Sequence, residues 1–171
     1  TNLKLINDGD LLLSDCAAEY HGYTADVTRT VPANGKFSPE QKLIYELVLA
    51  AQEAGIAACK PGAPFASVDA AARAVVNKGL VALGIVATEA EARKYFPHGT
   101  SHHLGLDVHD MGPRTLDPGV VLTVEPGIYI PEEGLGIRLE DDVVVQASGA
   151  PFNLMANIPI EADEIEALMN A

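Results

Sequence analysis

An α+β fold built on antiparallel strands is predicted by three features of the sequence: a hairpin pattern near the start, Ala-rich helical segments in the middle, and further β-branched strands after residue 118. The hairpin occupies residues 9 to 31. Leu11-Leu12-Leu13 leads into Asp15, the polar stretch Glu19-Tyr20-His21-Gly22 turns the chain, and Asp26-Val27-Thr28-Arg29-Thr30-Val31 returns. A two-residue turn at Tyr20-His21 sets Asp15 opposite Asp26; a turn at His21-Gly22 still leaves both on one face. Carboxylates facing each other across a ladder repel unless something positive lies between them, so this register points to a cation.

Ser38-Pro39-Glu40-Gln41 supplies an N-cap, a first-turn proline and a capping-box glutamine, and Leu43, Ile44, Leu47, Val48 and Ala51 follow at helical spacing. This helix is expected to stop near Lys60-Pro61-Gly62. A second helix is expected from about Ser67 to Leu83, and a short third one, capped by Thr88, runs to about Tyr95. Their small residues suit close packing on a sheet, and no sustained heptad suggests a coiled coil.

Four of the five histidines fall within residues 98 to 109, in a Gly-containing segment that reads as a loop. Pro118-Gly119 then turns into a strand over Val120 to Val124, with Glu125 ahead of Pro126-Gly127. A second hairpin is expected, Ile128-Tyr129-Ile130 returning past Gly134 and Gly136 to a strand from Ile137 to Val145 that carries Glu140 at its middle. The tail from Glu161 to Met169 reads as a final amphipathic helix.

At 171 residues and 48% hydrophobic content the chain supports one domain with a real core. A formal net charge of −13 without any polybasic run excludes a nucleic-acid surface. No segment has the length of a membrane span or the pattern of a signal peptide. Cys16 and Cys59 lack metal-type spacing; Cys16 is expected to pack as a small hydrophobe, and the pair suggests a reducing, cytoplasmic setting.

Asp15, Asp26, His102, Glu125 and Glu140 are the candidate metal ligands. Four carboxylates and one imidazole favour Mn²⁺, Mg²⁺, Co²⁺ or Zn²⁺ over thiolate-seeking metals. Taken singly, each has an ordinary explanation: an acid at a turn, a histidine capping a loop, or a charge on a sheet edge. Glu140 is the hardest to explain that way. Between Leu139 and Val143 it is costly to bury unpaired, Arg138 is expected to turn away from it, and a metal is the remaining compensation. His21, His103 and Asp107 are assigned structural roles.

Four ordered segments resemble the pita-bread metallopeptidase family, in its aminopeptidase P and prolidase branch. They are Leu13 to Thr30 with its two aspartates, His98-Gly99-Thr100-Ser101-His102-His103-Leu104-Gly105-Leu106-Asp107-Val108-His109-Asp110, Leu122-Thr123-Val124-Glu125-Pro126-Gly127-Ile128-Tyr129, and Gly136-Ile137-Arg138-Leu139-Glu140-Asp141-Asp142. The resemblance implies a curved antiparallel sheet covered by helices, and a binuclear metal-dependent exopeptidase that cleaves between an N-terminal residue and proline. It places Asp15 on one metal and His102 and Glu125 on the other, with Asp26 and Glu140 bridging. Two divalent ions are implied, Mn²⁺ first, with Co²⁺ or Zn²⁺ as alternatives, holding a water that attacks the scissile carbonyl. Glu125 would also pass a proton, His98 and His109 would contact the substrate, and Arg138 would hold the bridging carboxylates.

Relatives carry a further helical and strand segment before the first Asp motif. The resemblance therefore implies that residues 1-171 are the C-terminal portion of a longer catalytic domain. A proline-containing peptide is the expected partner, and a homo-oligomer is compatible with the sequence. Two other readings remain: a creatinase-like C–N hydrolase that does not use the metal pair, and a silent peptide- or protein-binding domain of the same fold. Retention of all five ligand positions disfavours both.

Overall fold

A computed structural model describes residues 4–171. The first hairpin is built from β1 (Leu11–Cys16) and β4 (Val27–Pro32), and its tip from two short strands, β2 (Glu19–Tyr20) and β3 (Tyr23–Thr24). The turn is His21-Gly22. Both residues have positive φ, 52° and 83°, the pairing that matches the right-handed twist of a tight hairpin. Asp15 consequently lies opposite Thr28 rather than Asp26, so the second of the two expected registers is the one adopted. Asp26 sits just before β4, two residues from Thr28, and the side chains keep a common face.

Helix α1 (Pro39–Ala58) begins with the predicted capping box, Ser38 accepting from the Gln41 amide while Gln41 accepts from that of Ser38. Helix α2 (Ala66–Ala82) packs along it. The third helical segment, Glu89–Lys94, is a 3-10 turn, tightened by Glu91 accepting from the Ala87 amide and the Thr88 hydroxyl. Helix α1 packs on one face of β5 (Val121–Val124), β6 (Gly127–Ile130) and β7 (Leu135–Arg138), with α2 alongside it. Tyr45, Val48, Leu80, Phe96, Ile128 and Ile137 form the main apolar contact between the layers.

The expected strand from Ile137 to Val145 is interrupted. β7 pairs with β6, and the chain then crosses to a different partner as β8 (Asp141–Val144), antiparallel to β5. Glu140 occupies the crossing point, where its backbone bridges Thr28 of β4. A short β9 (Phe152–Asn153) extends β8, and α3 (Ala162–Met169) closes the chain. Alternation along β5 sends Leu122 and Val124 into the apolar layer and Thr123 and Glu125 to the opposite face, where Asp142 lies across the ladder from Thr123.

Cys16 is exposed with its sulfur beside the Ser14 hydroxyl, so the expectation that it packs in the core is corrected: at the end of β1 no described residue buries it. Cys59 is buried. No helix among the described residues is long and apolar enough to cross a membrane.

The capping box fixes where α1 enters the layer that supports the sheet. Ser38→Ala is expected to destabilise the fold by about 1 kcal/mol, read as a lower midpoint in urea with an unchanged slope. An unchanged midpoint would show the cap to be dispensable.

Candidate metal centre

His102 is the organising side chain. Its Nδ1 lies 3.1 Å from the His103 carbonyl oxygen. A carbonyl only accepts, so Nδ1 carries the proton and the Nε2 lone pair faces the other way. There it meets Glu125 Oε1 at 3.4 Å and Asp26 Oδ2 at 3.6 Å. The backbone holds the imidazole in place, since the His102 amide donates to Thr123 Oγ1 and the Thr123 amide to the His102 carbonyl.

Asp26, His102 and Glu140 each offer a ligand atom, and those atoms lie within 4.8 Å of one another. The first hairpin, the histidine-bearing loop and the crossing between β7 and β8 supply them. Asp26 comes from the end of the first hairpin, its amide donating to Asp142 Oδ2 at 2.9 Å. Glu140 comes from the crossing between β7 and β8, with Oε2 accepting from the Thr28 hydroxyl at 2.5 Å. Glu125 follows β5, and its amide donates to the Thr100 carbonyl at 2.7 Å. Asp15 stands apart: half exposed, it takes an ion pair from Arg138 Nη2 while remaining close enough to Asp26 to raise its pKa.

Arg138 is thus joined to Asp15 rather than to the expected bridging pair Asp26 and Glu140. Its Nε also reaches Thr28 Oγ1, the hydroxyl that Glu140 uses. Residues two apart share a strand face, so the expectation that Arg138 turns away from Glu140 is corrected. Arg138 Nη1 donates to the Tyr129 hydroxyl, which lies 2.8 Å from His98 Nε2; His98 Nδ1 lies 2.8 Å from the Gly99 carbonyl. The Gly99 contact makes Nδ1 the donor, and burial lowers the His98 pKa. Neutral His98 therefore accepts from Tyr129 through Nε2. His109 stacks edge-on against His102, ring centroids 4.3 Å apart.

Burial lifts the Glu125 carboxyl to about 7 and the Glu140 carboxyl to about 8. Burial, then the neighbouring Asp15, raises Asp26, and burial takes Asp142 to about 7. Crowded carboxyls in poor solvent keep their protons to higher pH because burial and mutual repulsion outweigh the neighbouring Arg138 charge.

Thr28, Tyr129 and Asp142 were missed by sequence reasoning. Thr28 was the most legible, because period-two alternation puts it on the face of Asp26. Tyr129 and Asp142 depend on which strands become neighbours. The histidines assigned structural roles include His103, which stacks on Phe65 and bonds the Pro113 carbonyl.

The donors fit divalent cations. A histidine that donates one nitrogen to a backbone carbonyl while presenting the other to carboxylates has the tautomer a metal requires. A lone pair 3.4 to 3.6 Å from two carboxylate oxygens is stable only with a proton or cation between them.

Without metal, the folded protein keeps carboxyl protons that the unfolded chain has lost, so its stability falls as pH rises from about 4.5 and levels off above about 8. Melting curves of metal-free protein should show this decline, and excess Mn²⁺ should flatten it. A metal-free midpoint that stays level or rises across that range would contradict the protonated cluster.

The model of metallopeptidase family M24 matches residues 1–147. The chain is 44% identical to the Xaa-Pro aminopeptidase of Escherichia coli K12, aligning over 97% of its own length and 42% of that protein's. It is 43% identical to rat Xaa-Pro aminopeptidase 3, over 98% of the chain and 36% of the relative. Among solved structures, Pseudomonas aeruginosa aminopeptidase PepP superposes with a TM-score of 0.93 at 42% identity, over 98% of this chain and 43% of that one. Zinc-substituted E. coli aminopeptidase P in complex with product gives 0.90 at 44% identity, over 96% and 42%. The chain therefore spans about two fifths of the length of the relatives it matches. The fold is the pita-bread fold of those enzymes, and the chain belongs to metallopeptidase family M24.

Proposed function

We propose that this chain is the C-terminal part of the catalytic domain of a longer protein, a binuclear exopeptidase that hydrolyses the bond between an N-terminal residue and a following proline. The observation that carries the reading is the convergence of Asp26, His102 and Glu140, with Glu125 against the same imidazole nitrogen. Kinship with Xaa-Pro aminopeptidases supports the substrate class. Asp26 and Glu140 would be shared between two cations, with His102 and Glu125 also holding one of them and Asp15 the other. The oxygen-rich donor set suits Mn²⁺, with Co²⁺ or Zn²⁺ able to substitute. Unpaired Cys16 and Cys59 accord with a cytoplasmic setting.

Bound cations supply Lewis acidity, polarising the scissile carbonyl and acidifying water at neutral pH. The protein's own groups do the rest. Glu125, beside the imidazole nitrogen of His102, accepts a proton and delivers it to the proline nitrogen that leaves. His109, beside His102, donates to the developing oxyanion. His98 contacts the substrate from the Tyr129 side and keeps its orientation through the Gly99 carbonyl. Arg138 ties the first hairpin to β7 through Asp15 and Thr28, holding the two halves of the donor set in register.

The complete parent protein with Mn²⁺ should release the N-terminal residue from Xaa-Pro peptides. No release across several peptide lengths would remove the assignment. Asp26→Asn and Glu140→Gln should each abolish binding of two divalent ions, measured by elemental analysis, and unchanged stoichiometry would contradict bridging. His109→Ala should keep the metals and lower kcat on the order of 10²-fold. A silent binding domain would instead hold no stoichiometric metal.

A further inference from the structure

The segment from Phe96 to Ser101 has no ladder of its own, yet it carries His98, and its Thr100 carbonyl holds the Glu125 amide. Its backbone is secured from outside by two charges on α2. Arg73 uses all three guanidinium nitrogens: Nε pairs with Asp69 at 2.7 Å, Nη1 donates to the Phe96 carbonyl at 2.9 Å, and Nη2 donates to the His98 carbonyl. The guanidinium also lies 4.3 Å from the centroid of the buried Phe96 ring, and that ring meets His98 edge-on. Asp69 Oδ1 accepts from both the amide and the hydroxyl of Thr100, at 3.1 and 2.7 Å.

We propose that Asp69 and Arg73 are positioning residues, a clamp on α2 that sets the placement of His98 for the substrate; the inference rests on the exopeptidase reading for what His98 does. Phe96, two residues before His98, and Thr100, two residues after it, are gripped, as is the His98 carbonyl itself. Rotation of the imidazole is therefore confined to a backbone that cannot shift. The planar fork of arginine is essential, because a lysine ammonium is a point charge and cannot satisfy two carbonyls and a carboxylate in one plane. Neither residue touches a carboxylate of the cluster, and their one link to it runs through Thr100 to the backbone amide of Glu125, so the clamp is expected to act on substrate placement and to leave metal occupancy alone.

The test is a double-mutant cycle on the complete parent protein with Mn²⁺ and an Xaa-Pro peptide. Arg73→Lys should lower kcat/KM about tenfold at unchanged metal stoichiometry, and by less than about twofold in a His98→Ala background. Asp69→Asn serves as the second variant and should follow the same pattern. Arg93→Ala, bordering the same outer cavity, is the control and should match the wild type. Equal losses in both backgrounds, no loss in either, or loss of metal would each overturn the clamp. If the wild-type protein hydrolyses no Xaa-Pro peptide, the functional reading fails separately, and NMR of the His98 ring decides the clamp. Shifted or broadened ring signals in Arg73→Lys but not Arg93→Ala support it, and signals identical to wild type overturn it.

Discussion

Everything at the centre of this chain follows from one constraint: the Nε2 lone pair of His102 is aimed at carboxylates that cannot all be ionised in so little water. The His103 carbonyl dictates the tautomer, and burial dictates the protonation of the acids. Such a cluster is stable either with protons or with cations. A cation entering such a cluster would displace those protons, which would link its uptake to pH and to folding.

The architecture serves that constraint by division of labour. The helices and the inward side of β5 to β7 are apolar and supply the burial that keeps the strands where they are. The opposite side is lined by short polar side chains that join one strand system to another. Thr28 is the central example, giving its hydroxyl proton to Glu140 and accepting from Arg138, while its carbonyl pairs with the Glu140 amide. Arg29, next to it on the other face, donates to the Glu140 carbonyl and pairs with Asp141. One dipeptide thus anchors the crossing between β7 and β8 from two directions.

Much of this was legible in the chain. Capping residues located α1, and turn residues placed the first hairpin to within one register. Sequence alone does not choose between Tyr20-His21 and His21-Gly22, because it does not say which residue will take the left-handed conformation; Gly22 accepts it freely and His21 follows at modest cost. Glu140 was read as mid-strand because its apolar neighbours alternate correctly. Alternation reports which face a residue occupies, and it is silent on where a strand changes partner.

Local periodicity and turn preference are enough to read the chemistry available: oxygen donors in excess, one well-placed imidazole, and the segments that carry them. Which acids share a space, the pairing of Asp15 with Arg138 and the grip of α2 on the loop of His98 emerge from the folded chain alone. Those are contacts between residues far apart along the chain, and they exist because packing of the apolar layer brings separate strand systems to one side, a consequence no local pattern encodes.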